Sequence, residues 1–308
     1  MFMSISAILS AMEIGLIFSI MSLGIYITFN ILNFPDLTVD GSFTLGSVVS
    51  ATAVLTLHLH PFVALLLATL AGALAGFITG FLHTKLKVQY ILAGILTMTA
   101  LYSINLKIGG GAPNFSLFGK ASIFSLFKDL LSKINAPSFL ISNSKLILLL
   151  GMVVIITTLL HLFFKTQCGM AIRATGDNEN MVRASSINTD AMKITGLAIA
   201  NGLVALAASI FTQYQQFYDI SVGIGMMVVG LTGIILGETI FGRRSILNSF
   251  ISLILGAILY RLLLAFALSL GMNPNDWKLL CALLVAGAIS LPTLKNYHKT
   301  RRDRYAGN

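Results

Sequence analysis

Apolar residues run through this chain in long unbroken blocks, and polar residues are confined to the short breaks between them. Nine blocks can be drawn, near residues 7–29, 42–58, 61–82, 88–105, 145–164, 192–214, 222–241, 246–269 and 277–292. A helix needs about 20 apolar residues to cross a bilayer. The blocks are continuous rather than alternating, which predicts helices and not barrel strands. The expected fold class is an all-α polytopic membrane protein with about nine transmembrane helices.

Two breaks carry more than turn residues. The first, Asn33 to Phe43, reads NFPDLTVDGSF; the second, Phe217 to Met227, reads FYDISVGIGMM. Asp36-Leu37-Thr38-Val39 aligns with Asp219-Ile220-Ser221-Val222 as acid, aliphatic, hydroxyl and valine. Five blocks separate the stretches, and an odd number inverts the second copy relative to the first. Blocks one to four (about 7–105) then match blocks six to nine (about 192–292). Residues 106–190 form the connector with its outer loop, and 293–308 a basic tail, all within one transmembrane domain, 1–308. Inverted repeats joined at interrupted helices are a transporter pattern. Pro35 disfavours helix before it, and Asp36 and Asp219 are the expected caps of the restarting helices. Thr38, Asp40 and Ser42, with Ser221, Gly223 and Gly225, are the expected lining of a translocation path. An ordinary capped turn at the membrane surface is the other reading of the same residues.

Composition narrows the class. Only 10% of the 308 residues are charged, 56% are hydrophobic and the mean hydropathy is +0.89. A soluble domain carries about 25% charged residues. The net charge of +9 is spread over the breaks, so it reads as membrane topology rather than nucleic-acid binding. With the C-terminus cytoplasmic, thirteen Lys and Arg fall inside and six outside, with Arg261 within a span. Glu13 and Glu238 also lie in spans, where a charge is expensive and marks function or an interhelical contact. The two cysteines, Cys168 and Cys281, form no metal or disulfide pattern, and no cleavable signal peptide is evident at Met1–Ser10.

Two connections have helical patterning. In the outer loop, Ile123, Phe124, Leu126, Phe127, Leu130, Leu131 and Ile134 recur at helical spacing. They predict a helix lying in the membrane interface or resting on the bundle. The inner connection Lys165–Gly196 is long and polar. Gly176 offers a turn, Asp177 or Asn178 an N-cap, and Met181, Val182 and Ala184 an apolar side to a short helix. That pattern suits docking into a partner's groove.

Two stretches carry a resemblance. GMAIRATGDNENMVRASSINTDAMKITGLAIANGLVALAASIF (Gly169 to Phe211) resembles the inner loop and following span of ABC-importer permeases of the branched-chain amino acid and ribose type. NFPDLTVDGSFTLGSVVSA (Asn33 to Ala51) is similar to that family's segment after the first core span, in the form of the tryptophan/tyrosine-type permeases. The resemblance covers nearly the whole chain, with an N-terminus that is short where family members can carry an extra leading span. It implies that Gly176, Asp177, Asn178, Glu179, Asn180, Met181, Val182 and Arg183 form the helix that couples to an ABC ATPase subunit. It also implies an extracytoplasmic substrate-binding protein as partner, a cell-membrane location, and an amino acid, aromatic or branched-chain, as cargo.

The sequence offers no energy source of its own. The nearest string to a phosphate-binding loop, NFSLFGKAS (Asn114 to Ser122), has Asn114 in place of the first glycine and Ala121 after the lysine. The expectation is a transport subunit, not an enzyme, with no cofactor or metal of its own and ATP bound by the partner. One docking loop per chain against two ATPase subunits predicts a homodimer. The alternative is a self-sufficient ion-coupled transporter or channel using Glu13, Asp36 and Asp40. The five histidines form no His-Glu-x-x-His pattern, which speaks against an intramembrane enzyme.

Overall fold

The computed structural model describes residues 4–135 and 137–271, with isolated positions between 279 and 287. The span expected at 277–292 lies largely outside the described residues, as do Lys278, Cys281 and the tail 293–308. The described helices are α1 (Ile5–Tyr26), continued by a π-turn (Ile27–Ile31), α2 (Thr38–Leu55), α3 (Pro61–Thr84), α4 (Tyr90–Ile108), α5 (Ile123–Lys133), α6 (Ser138–Ser142), α7 (Ser144–Phe163), α8 (Gln167–Asp177), α9 (Glu179–Ala184), α10 (Thr189–Gln215), α11 (Met226–Phe241) and α12 (Ile246–Ser269). Seven are long and apolar enough to cross a membrane, and α11 is a shorter apolar helix. The protein is an all-α polytopic membrane protein.

Two helix starts differ from the hydropathy reading by four residues, the other limits by three or fewer. α2 begins at Thr38 rather than residue 42, because the polar residues of that stretch are satisfied by neighbouring helices and need no water. α11 begins at Met226 rather than 222, because residues 220–225 form turns ending at Gly225 with φ +85°. One pair of strands also went unforeseen. β1 (Asn114–Ser116), inside the loop string compared with a phosphate-binding loop, pairs antiparallel with β2 (Phe217–Asp219), and Phe115 lies opposite Tyr218.

α1, α2 and α10 form the buried centre. α3 lies along α10 and α12 along α1, while α2 flanks α3 and α11 flanks α12. Exchanging α1 with α10, α2 with α11 and α3 with α12 turns one set of neighbours into the other. Close approach is made by small residues. Gly72, Gly76 and Gly80 recur every fourth residue on one face of α3, and a Cβ at any of them would overlap α10 at Ala205, Leu197 or Ile194. Small residues at this spacing let membrane helices meet backbone to backbone. α11 and α12 meet similarly, with Gly233, Gly237 and Gly256 in contact.

α5 forms where the periodicity places it. Ser122 and Ser125 close its N-terminus as a reciprocal capping box. Ile123 and Phe124 are buried, whereas Leu130 and Ile134 are exposed. Its first turn rests on the bundle through Gln213, whose Oε1 accepts the Ile123 amide at 3.0 Å. His60 precedes Pro61 at the start of α3, with its ring stacked on Phe62.

Candidate functional site: the paired helix breaks and the α8–α9 connection

The first break is built in four steps. The end of α1 widens into the π-turn, where Leu32 N–H bonds to Ile27 O at 3.0 Å. Such turns are rare and recur at functional sites. Asn33 then takes φ +50°, a conformation Asn tolerates better than other side-chain-bearing residues. Pro35 keeps the chain extended. Asp36 Oδ1 accepts the Thr38 amide at 2.9 Å and starts α2.

The second break repeats the last step. Asp219 Oδ1 accepts the Ser221 amide at 2.7 Å and also the Ser221 hydroxyl. The aligned tetrads therefore make the same aspartate-to-i+2 bond. Their surroundings differ: Asp36 is buried, with Asn201 Nδ2 donating to its Oδ2 at 2.7 Å, whereas Ser221 is exposed. Asp219 holds its own turn and does not reach α11. The α11 cap comes from the other break, where Asp40 accepts Gly225 N–H at 2.8 Å and Met227 N–H at 2.9 Å. Gly223 is required here, because a Cβ would overlap Asp40 O and Thr44 Oγ1.

Of the residues expected to line a path, Thr38 and Ser42 are buried within this chain. Thr38 Oγ1 meets Thr79 Oγ1 at 2.8 Å, and Ser42 Oγ donates to Asn201 Oδ1 at 2.7 Å. Ser221 is exposed, and Gly225 is partly so. Asp40 borders a small cleft with Tyr102, Asn105 and Ile224.

Two residues of this centre escaped the sequence reading. Asn201 joins Asp36 to Ser42, and Gln213 joins Ser50 and Pro61 O at 3.2 Å each to the start of α5. The available signal was a lone amide in each half of a mostly apolar block, twelve positions apart (213 − 201). Buried amides need partners, and α2 supplies hydroxyls for both.

The charged residues inside spans also have contacts. Tyr214 Oη donates to Glu13 Oε2 at 2.7 Å. Asn30 Nδ2 donates to Glu238 Oε1 at 3.2 Å, and Arg243 stands 3.9 Å from the same carboxylate. The Arg261 guanidinium lies 4.6 Å from the centre of the Phe18 ring.

At the opposite end from the strands, α8 and α9 are fixed to the bundle. Gly176 is not a turn residue: it lies within α8, and a Cβ there would overlap Ile31 O of the π-turn. Asn33 Nδ2 donates to Gly176 O at 3.0 Å. Asn178, rather than Asp177, caps α9 by accepting Met181 N–H at 3.1 Å. Of the expected apolar side only Val182 is buried, while Met181 is 57% exposed. Glu179 pairs with Lys193 at 2.6 Å and Arg183 at 2.8 Å, and Asp190 pairs with Lys85 at 3.3 Å. The Lys193 contact holds the Glu179 carboxyl below its ordinary range, the more so with Arg183 and Thr189 beside it. α9 is thereby pinned to the start of α10, with Asn180 and Met181 turned outward.

α8, attached through Gly176 and Asn33 to the broken first span and continuous with the ion-paired α9, joins a surface helix to the bundle centre. The family model for the permease component of branched-chain amino acid transport systems matches residues 7–289. The chain belongs to this permease family. The permease is 40% identical over 289 residues to the tyrosine transport system permease protein of Clostridioides difficile (strain R20291), covering 94% of this chain and 92% of that one. It is 32% identical to a protein of Rickettsia prowazekii (strain Madrid E), over 94% of this chain and 98% of that one. A ribose import permease protein of Haemophilus influenzae (strain ATCC 51907 / DSM 11121 / KW20 / Rd) is 25% identical to the permease over 77% of this chain and 66% of its own length. No solved structure matches the permease. The resemblance read at Asn33–Ala51 and Gly169–Phe211 holds at the level of the family.

Proposed function

We propose that this permease is the membrane subunit of an ABC importer that carries an amino acid inward, with L-tyrosine the first candidate. Two copies form the path, and a separate ATPase subunit docks on α8–α9 and supplies the energy. The end carrying α8–α9 is cytoplasmic, as is the tail after residue 292, and the end carrying the strands faces an extracytoplasmic binding protein in the cell membrane. The two breaks belong to an inverted repeat, and ATP is bound by the partner, not by this chain.

One observation carries the reading. α9 is a six-residue helix, too short to persist alone, yet it is capped and ion-paired while its outer face stays uncovered. A surface built rigid and left open suits a partner that pushes on it. Gly176 against the π-turn would pass that displacement to the first break. The name of the 40% identical relative supports tyrosine as the cargo.

Cysteines at Asn180 and Met181 test the coupling step. They are expected to crosslink to the ATPase encoded with the permease and to react with impermeant thiol reagents only after the membrane is opened. Labelling from outside in intact cells would overturn the orientation. Uptake of L-tyrosine by the chain alone in liposomes, without an ATPase, would favour the ion-coupled alternative.

A further inference from the structure

At the strand-bearing end, α5, α6 and the first turn of the spanning helix α7 enclose a basic corner. Two adjoining clefts, of about 530 and 370 Å³, share Lys128, Ser144 and Lys145 as walls. Both lysines are exposed, and neither is in an ion pair among the described residues. Lys145 Nζ lies 5.0 Å from the centre of the Tyr214 ring, a contact that cannot use all three of its N–H donors. The acid of α5, Asp129, directly follows Lys128, and sequence neighbours do not face each other on a helix.

Ser144 adds a further donor. The residue is 4% exposed, yet its hydroxyl makes no hydrogen bond among the described residues. Buried hydroxyls usually have a partner, and this one borders both clefts. Ser144 also opens a 20-residue helix on which Asn143 places no side-chain cap. The first-turn amides therefore add positive potential at the same spot. Two ammonium groups, a hydroxyl and a helix N-terminus together suit a phosphate.

The surroundings favour one kind of phosphate. Phe139, next to the cleft residue Ser138, is 74% exposed, and Leu150 and Val154 are exposed further along α7. A free anion has no use for that apolar surface, and a soluble acidic partner cannot follow it down a spanning helix. A phospholipid places a phosphate at the interface and its acyl chains below. We infer that this corner holds an anionic phospholipid, with Lys128, Lys145 and Ser144 on its phosphate and its chains along α7. The site depends on neither the cargo nor the orientation of the permease.

Native mass spectrometry of the full-length permease, released from a neutral detergent, tests it. The probes are dioctanoyl phosphatidylglycerol, dioctanoyl phosphatidylcholine and inorganic phosphate. Phosphatidylglycerol is expected to bind roughly tenfold tighter than phosphatidylcholine, as two lysines at a headgroup imply. Lys128→Gln combined with Lys145→Gln should bring that ratio close to one. Ser144→Ala should weaken both lipids, which share the phosphate. Lys87→Gln combined with Lys165→Gln removes the same charge from exposed positions outside the clefts and should leave the ratio intact. A ratio near one in the unaltered protein, or an equal fall in both double variants, overturns the site. Displacement of phosphatidylglycerol by inorganic phosphate at equal concentration overturns the lipid assignment in favour of a free phosphate. If the Lys128→Gln and Lys145→Gln double variant does not fold, the single variants decide, and a ratio unchanged in both overturns the site.

Discussion

Asp40, in the first turn of α2, accepts the amide of Met227, in the first turn of α11, at 2.9 Å. One restarting helix thus closes the N-terminus of the other. The two run in opposite directions from this point, α2 toward the end of α4 through Thr52 and α11 toward the end of α1 through Glu238. Two positive helix ends meeting in a low-dielectric interior repel each other. The Asp40 carboxylate offsets both.

Asp40 is therefore expected to matter more than either aligned aspartate. Asp40→Asn keeps one acceptor and turns an NH₂ toward an amide, while Asp40→Ala leaves two partly buried amides bare. The loss is roughly 1–2 kcal/mol for each unsatisfied amide. Thermal unfolding of the purified permease should fall in the order native, Asp40→Asn, Asp40→Ala. An Asp40→Ala protein as stable as the parent would show that α11 needs no cap from α2.

Asp36 faces a different partner. Asn201 donates to Asp36 and accepts from Ser42, so its amide orientation is fixed from both sides. Asp36→Asn can still cap Thr38 but brings two NH₂ groups together, unless Asn201 turns over and Ser42 becomes the donor to nothing. Folding yield should drop modestly for Asp36→Asn and severely for Asp36→Leu, which leaves one of the two Asn201 side-chain N–H groups without its acceptor, the other bonding to Leu197 O at 3.0 Å. Pairing Asp36→Asn with Asn201→Asp should recover yield. Fluorescence-detected size exclusion of the three variants reads this directly.

Gly176 is expected to be a coupling residue whose replacement spares the fold. A Cβ there overlaps Ile31 O, so Gly176→Ala must lift α8 from the π-turn. Overpacking of this kind costs about 1–3 kcal/mol, which a bundle of this size can absorb. The expected outcome is normal assembly with the ATPase, retained ATP hydrolysis and uptake reduced tenfold or more. Loss of assembly would place Gly176 in folding instead.

The ion pairs of α9 make its attachment to α10 acid-sensitive. Glu179 has a folded pKa held below its unfolded value, chiefly by Lys193. Its contribution is present above the ordinary glutamate value of about 4.3 and is lost as pH falls through the lower folded value. Hydrogen exchange of residues 179–184 should rise as the medium is taken below about pH 4, and Glu179→Gln should show that rise already at neutral pH. Because these pairs are partly exposed, high salt should have a smaller effect in the same direction.

The sequence by itself determined the membrane class, most of the span limits and the presence of two related breaks. Those properties follow from local patterning: continuous apolar runs, a proline, and an aspartate placed two residues before an amide it can accept. α12 begins and ends where hydropathy put it, at Ile246 and Ser269. Tertiary structure alone decided which groups meet. Asp40 reaches across 185 positions to Gly225, Asn201 reaches back to Asp36, and Gly76 meets Leu197, none of which has a local signature. It also turned Gly176 from a turn residue into a contact surface, and drew β1 from a loop into register with β2. Hydropathy reports the cost of leaving water, which each residue bears alone. Hydrogen-bond partners and close backbone approach depend on two segments at once, and only the folded bundle brings those segments together.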